Sequence, residues 1–534
     1  MRFRTPSRLL LGLVAGTLTL SACGGGSSSA DGAASGEPRP GGDLRFAGTV
    51  DSGCIDPQQV GNNDALNIGR QLVDSLTVQD PASGEVAPWL AQSWEVSPDA
   101  TTFTFHLRPG ATFSDGTPVD AAAVKANLDG IVALGAKASL GSTYLAGYAG
   151  TQVPDASTAV VTFSRPSAQF LQATSTMSLG LLSTASVAAD PASRCDGTAL
   201  VGSGPFVVER YTQDAETVLA KRKGYDWAPA GSTHQGEAYL DTITFSVVPE
   251  SSVRTGGLSS GQIDATTAIA PQDLPQFDRD GFWTERRANP GIPYNFFPNE
   301  SRPLFSDVRV RQALSAAVDR EEIAATVLNP GDEAVSSALS ASTPLAPDDG
   351  DLLAHDPDRA RALLDEAGWV PGADGVREKD GKPLSFTVTY WQTAPGLELV
   401  QQQLREVGID LQLKATTVAE TNAVQESGDY DVLFYNLTRS DPDVLRTVFA
   451  QSSRNVAQRP RSAVDDALDG QAATLDTTQR TDLVAQASSS LLTDAHSIPL
   501  WELSTVIAAT DDVHDLQFEA STRLWFHDAW LSQS

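Results

Sequence analysis

A chain of 534 residues with 41% hydrophobic content is long enough to bury two or three cores. Its formal charge of −30 becomes −33 once the three arginines of residues 1–22 are removed, which sets it against nucleic acid and anionic lipid surfaces. The acids are spread along the chain and not gathered in a block, so they read as solubility and not as a binding tail.

Residues 1–22 have the layout of a bacterial signal peptide. Arg2, Arg4 and Arg8 precede an apolar run from Leu9 to Leu20, too short to favour a spanning helix, which needs roughly 20 apolar residues. Leu20-Ser21-Ala22-Cys23 resembles the lipobox, in which the cysteine is lipidated and becomes the first mature residue. An ordinary secretory signal with an incidental cysteine is the bland alternative. The expectation is a protein on the outer face of the cytoplasmic membrane, tethered through Cys23. Residues 23–41, rich in Gly, Ser, Ala and Pro, read as a flexible tether. Cys54 and Cys195 are then left as a pair in an oxidising compartment, either bonded or as two buried thiols.

Folding is expected to begin near Gly42. Phe103, Phe105 and Leu107 alternate with Thr102, Thr104 and His106, the period of a strand, and Pro109-Gly110 stops the run. Ser306 can cap a helix whose apolar face is Val310, Ala313, Leu314, Ala317 and Val318. Asp356-Pro357 opens another, with Ala360, Leu363, Leu364 and Ala367 on one face and Gly368 closing it. Leu384, Phe386, Val388 and Tyr390 repeat the strand alternation. Strands and helices mixed over this length predict an α/β architecture, with no repeat of fixed period.

Catalytic patterns are weak. The six histidines show no metalloprotease spacing, and there is no Cys-x-x-Cys. Gly257-Leu258-Ser259-Ser260-Gly261 matches the nucleophile-elbow string but lacks an apolar strand before it. An extracellular hydrolase is therefore disfavoured, and no enzyme activity is expected.

Several blocks resemble the bacterial extracellular solute-binding proteins of family 5, the peptide- and nickel-binding components of ABC importers. The strongest runs from Pro88-Trp89-Leu90-Ala91-Gln92-Ser93-Trp94 through Thr102–Gly110 to Phe113-Ser114-Asp115-Gly116-Thr117-Pro118. Gly202-Ser203-Gly204-Pro205-Phe206, Asp307–Leu314 with Asp319-Arg320, Asp356–Trp369 and Gly428-Asp429-Tyr430-Asp431 follow in family order. The resemblance implies a two-lobed periplasmic-binding-protein-like fold of type II, with three domains and a ligand cleft between lobes. Domain I is expected from residues 42–75, 199–290 and 498–534, domain II from 76–198 and domain III from 291–497. It implies capture of a small solute, a peptide or a peptide-like or polar compound, and its delivery to an ABC permease and its ATPase subunits. The chain is expected to be a monomer without cofactor or metal. A ligand-binding accessory for sensing is the rival reading, which adjacent permease and ATPase genes would disfavour.

Within the signature, Trp and Phe residues read as core, Gly202 and Gly204 as a tight turn, and Arg309 and Arg311 as surface pairs. The cleft candidates are Asp51 and Ser52 after the first strand, Trp391, Asn436, Arg439 and Asp441. In peptide-binding members an aspartate in the loop after the strand at Tyr430–Tyr435 pairs with the ligand's amino terminus. Here that position falls on Ser440 or Thr438, neither acidic, with Asp441 nearby. Arg439 suits a carboxylate or other anion, since its fork pairs bidentately. The competing reading is that Arg439 and Asp441 only brace the loop. In the family fold Cys54 and Cys195 both fall in the first lobe, which favours a bond between them.

Overall fold

The computed structural model describes residues 36–391, 394 and 396–532. The signal peptide, Cys23 and residues 23–35 of the tether lie outside the described residues. Residues from Pro38 onward form one compact unit.

Three sheets organise it. A seven-stranded sheet runs in the order Phe282–Ala288, Ser504–Thr510, Ala265–Thr266, Asp43–Gly48, Thr242–Val247, Glu216–Lys221 and Phe206–Thr212. An antiparallel four-stranded sheet holds Ala91–Val96, Thr102–Leu107, Thr158–Phe163 and Tyr148–Asp155. These two make the first lobe. The second lobe is built on a five-stranded sheet of Asp410–Ala415, Ser385–Tyr390, Val432–Thr438, Gly291–Pro298 and Ile498–Trp501. Among the described residues no helix is long and apolar enough to cross a membrane.

The burial of each sheet explains its sequence pattern. Thr102–Leu107 has one wet face, so Phe103, Phe105 and Leu107 are buried while the intervening residues are half-exposed. Val432–Thr438 has helices on both faces. Val432 and Phe434 pack with Leu314, Leu364 and Leu404 on one side, and Leu433 and Tyr435 with Val448, Leu468 and Leu491 on the other. Its four consecutive apolar residues are therefore all core.

Local signals hold with three corrections. The helix Pro357–Glu366 begins as expected, with the Asp356 carboxylate accepting from the Arg359 amide. The helix Val308–Ala317 is capped by Asp307, whose carboxylate accepts from the Arg309 amide, and not by Ser306, whose hydroxyl donates to the Pro303 carbonyl instead. Gly202 and Gly204 do not serve a positive-φ turn. A Cβ would stand 1.9 Å from the Leu72 carbonyl oxygen at Gly202 and 2.6 Å from that of Gln71 at Gly204, so glycine permits two chain segments to touch. Arg311 is buried and donates to the carbonyls of Asp494 and Phe305, so only Arg309 forms a surface pair, with Asp307.

The chain crosses between lobes at 289–290 and at 502–503. Ile498–Trp501 pairs with Gly291–Pro298, so the return crossing follows Trp501, four residues later than the expected boundary at 497/498. The two crossings lie side by side: the Asn289 amide donates to the Leu503 carbonyl at 2.8 Å, and Thr505 Oγ1 donates to Asn289 Oδ1 at 2.7 Å. This is the geometry of a hinge.

Candidate functional site between the lobes

The strand Val432–Thr438 delivers residues 439–443 to the junction of the lobes. Its exit is set by Gly291 on the neighbouring strand. Gly291 has φ +118°, and a Cβ there would stand 2.1 Å from the Leu437 carbonyl oxygen and 2.7 Å from the Arg439 amide. Arg439 is then tied down by its amide donating to the Pro290 carbonyl at 2.8 Å.

From there the Arg439 side chain reaches the first lobe. Its guanidinium lies 4.4 Å from the centre of the Tyr144 ring. It donates to Thr143 Oγ1, whose own proton goes to the Leu140 carbonyl, and to Thr447 Oγ1 at 3.3 Å. Nε is buried without a partner. Among the described residues no carboxylate forms an ion pair with Arg439, and burial works against its charge.

The nearby acids are already taken. Asp441 receives both arms of Arg480, at 2.5 and 3.0 Å, and Asp443 both arms of Arg446, at 2.7 and 2.8 Å. Gln471 Nε2 adds a third bond to Asp443 at 2.6 Å. Asp441 is thus neutralised inside its own lobe and braces the loop.

A second buried arginine, Arg523, belongs to the first lobe. Arg523 is 4% exposed, sits in a turn closed by the Glu519 amide donating to its carbonyl at 2.8 Å, and leaves Nε buried and unpartnered. Thr522 in that turn has φ +61°, a conformation that costs a β-branched residue of order 1–3 kcal/mol. Glu519, the acid nearest Arg523, is claimed by Arg70 at 2.9 Å. Both Arg439 and Arg523 act on the Tyr144 hydroxyl. Arg439 and Arg523 are thus two buried guanidinium groups, the first against the Tyr144 ring and the second donating to the Ser521 carbonyl, and among the described residues neither forms an ion pair with a carboxylate, in a chain of net charge −30. Burial of unpaired charge is costly.

Polar groups surround them. Gln172 Nε2 donates to Gln79 Oε1 at 2.9 Å, and Gln79 Nε2 reaches the Ser440 carbonyl at 3.4 Å across the lobes. Gln172 Oε1 and Ser440 Oγ are buried and unpartnered. Trp391 packs against Tyr435 with ring centres 5.3 Å apart, and the buried Tyr435 hydroxyl has no partner. Asn436 is half-buried on the same strand, one residue on.

Asp51 and Ser52 lie elsewhere. The Asp51 carboxylate accepts from the Tyr211 hydroxyl at 2.7 Å, the Asp214 amide at 2.9 Å and the Gly53 amide at 2.8 Å. Ser52 is exposed and donates to the Cys54 carbonyl at 2.9 Å. Both line a small depression beside Phe46, Asp64 and Phe245, within the first lobe. Cys54 and Cys195 are joined there, with Cα atoms 4.0 Å apart, next to the Ile55 amide donating to the Cys195 carbonyl. Ser259 ends the helix Ser251–Ser259 and is exposed, so the Gly-x-Ser-x-Gly string lacks the strand-to-helix turn of a nucleophile elbow.

Sequence reasoning placed Trp391, Asn436, Arg439 and Asp441 in one neighbourhood. It missed Tyr144, Thr143 and Arg523, which come from chain segments far apart and carry no local motif. The Arg523 turn does hold one local signal: a threonine forced to positive φ, visible only once the backbone is known.

Comparison with known proteins fits this architecture. Residues 85–456 match the family model described as bacterial extracellular solute-binding proteins, family 5 Middle. The nickel-binding periplasmic protein of Escherichia coli (strain K12) is 23% identical over 503 residues, 89% of this chain and 92% of that protein. The glutathione-binding protein GsiB of the same strain is 27% identical over 472 residues, 83% of this chain and 85% of that protein. The crystal structure of NikA from Brucella suis in complex with Fe(III)-EDTA superposes with a TM-score of 0.78 at 25% identity, covering 92% of this chain and 100% of that one. With a family model spanning well over half its length, an α/β fold of the same kind and a polar site where its lobes meet, this chain belongs to the family 5 extracellular solute-binding proteins.

Proposed function

We propose that this protein captures a small anionic or zwitterionic solute between its lobes and delivers it to an ABC importer permease, acting as a monomer without chemistry of its own. The observation that carries this reading is Arg439, buried against the Tyr144 ring across the lobes with Nε unpartnered and, among the described residues, no carboxylate paired with it. A carboxylate-bearing ligand, such as a peptide or peptide-like compound, would supply the missing charge and accept bidentate bonds from a guanidinium. Relatives named for binding nickel and glutathione support a small-solute role. Binding in the folded hinge geometry presents a joined two-lobe surface to the permease.

The Leu20–Cys23 string supports anchoring through a lipid on Cys23, on the outer face of the cell membrane. Cys23→Ala should release the protein into the medium; retention of that variant in the membrane fraction would sink the anchor. Native mass spectrometry of the purified protein, followed by identification of the released ligand, tests the solute. A ligand carrying at least one anionic group is expected. A ligand that is neutral or purely cationic would show that Arg439 serves the fold alone.

A further inference from the structure

Away from the lobe junction, the turn at 233–237 meets the C-terminal segment at three side chains, His234, His527 and Asp528. Asp528 Oδ1 lies 2.7 Å from His527 Nδ1 and 3.3 Å from His234 Nδ1. The two imidazoles stack with centres 4.3 Å apart and planes 9° from parallel.

The far nitrogens decide what the near ones can do. His234 Nε2 is 3.0 Å from the Glu237 carbonyl, and His527 Nε2 is 2.9 Å from the Gly236 carbonyl. A carbonyl only accepts, so each Nε2 carries the hydrogen. In a neutral ring each Nδ1 is then a bare lone pair. Both lone pairs aim at an ionised carboxylate, which has no hydrogen to give. Asp528 Oδ2 is already satisfied by the Thr233 amide at 2.9 Å. Three acceptors thus converge with no donor among them, and His234 Nδ1 is buried without a hydrogen-bond partner.

A positive centre resolves the conflict. One proton on His527 Nδ1 would answer its 2.7 Å contact with Asp528 but leave His234 Nδ1 unpartnered, and a second would place like charges face to face at 4.3 Å against a single carboxylate. One divalent cation satisfies all three atoms at once. One donor atom from each residue lies within 4.8 Å of the others, and because the two rings are stacked the partly exposed His234 imidazole has to turn for both Nδ1 lone pairs to meet one ion. Carbonyl partners on the outer nitrogens are the arrangement that orients metal-ligating histidines. Two imidazoles and a carboxylate suit zinc, with metal–ligand bonds of about 2.0–2.2 Å.

We propose that His234, His527 and Asp528 form a structural zinc site that clasps the turn at 233–237 to the C-terminal segment. Its walls are rigid and aromatic: Tyr239 stacks on His234 at 4.0 Å, and Tyr225 and Trp525 flank His527 at 5.5 and 5.6 Å. Trp525 continues into the core of the four-stranded sheet through Trp89. His234 keeps a partly exposed edge, which gives the ion a way in, and the fourth position is left to water.

The test uses the full-length protein, stripped with a chelator, dialysed and titrated with zinc chloride alone. One zinc per chain is expected, with a rise in melting temperature that the chelator reverses. His234→Gln, at a partly exposed position, should fold and bind zinc about 100-fold more weakly, with the rise abolished; Asp528→Asn is the second variant. Equal zinc binding by wild type and His234→Gln, or none by the wild type, overturns the proposal. So does a melting temperature that climbs on acidification to the same level without zinc, because protons would then be filling the site.

Discussion

Arg439 of the second lobe and Tyr144 of the first meet with the guanidinium 4.4 Å from the ring centre. The contact spans the lobes, and among the described residues no acid forms an ion pair with Arg439. If a ligand's carboxylate does so, removing the arginine leaves that charge buried alone. Arg439→Ala should then weaken binding of the co-purified solute by about 3–5 kcal/mol, while Arg439→Lys, lacking the fork, should recover little of it. Calorimetry on the three proteins measures this. A loop-bracing arginine would instead lower the melting temperature and leave affinity unchanged.

Glu502 sits on the return crossing between lobes, with Oε1 accepting from the Ala341 amide at 3.2 Å and Oε2 buried without a partner. Burial raises its pKa from 4.5 to about 7. Between those values the folded protein holds a proton that the unfolded chain has lost, so stability falls as pH rises from about 4.5 to about 7 and is flat above. Glu502→Gln should match wild type near pH 4 and exceed it at pH 8 by roughly 2–3 kcal/mol. Asp74, raised from 3.8 to about 7 by burial in spite of the hydrogen bonds it accepts from Trp227 and Tyr225, keeps a similar slope in the variant. Urea melts at the two pH values check this, and equal stability at pH 8 would contradict it.

The Cys54–Cys195 bond closes a loop of 141 residues. Labelling the unfolded, unreduced protein should find neither thiol free. Reduction should cost up to about 5 kcal/mol of stability on the loop-entropy account.

Gly291→Ala places a methyl 2.1 Å from the Leu437 carbonyl oxygen in a backbone conformation that alanine resists. A loss of about 3 kcal/mol or more is expected, together with weaker solute binding, because the shifted strand carries Arg439. A variant as stable as wild type would mean that the neighbouring strand yields freely.

The parts of the fold most legible in the sequence were those where one face is wet. Phe103 to Leu107 and Pro357 to Gly368 announce themselves by period and cap. Where both faces are covered, period disappears: Thr389 is buried beside Val388 because helices close both sides of its sheet. Arg311 read as a surface residue because its partners, the backbone carbonyls of Phe305 and Asp494 and the buried Glu300 carboxylate at 3.5 Å, form no local side-chain pattern. The candidate site was half-legible for the same reason. Arg439 stands in a recognisable loop, whereas its counterparts Tyr144 and Arg523 enter from remote segments.

The strand Ser504–Thr510 is inserted in the seven-stranded sheet between Ala265–Thr266 and Phe282–Ala288, and the backbone at Leu524 exchanges hydrogen bonds with Asn67 and Gln71. The layer that Asp43–Gly48 helps to build is thus completed by a strand that follows the whole five-stranded sheet in chain order. As the chain emerges from its amino end, the five-stranded body can close once Trp501 is out. Asp43–Gly48 can be paired on both flanks once residue 266 is out, whereas Ala265–Thr266 and Phe282–Ala288 must wait for the strand that comes between them. Closure of that sheet edge consequently follows closure of the five-stranded body, and a truncation at residue 503 should leave Ala265–Thr266 and Phe282–Ala288 without the strand between them while leaving the five-stranded body whole.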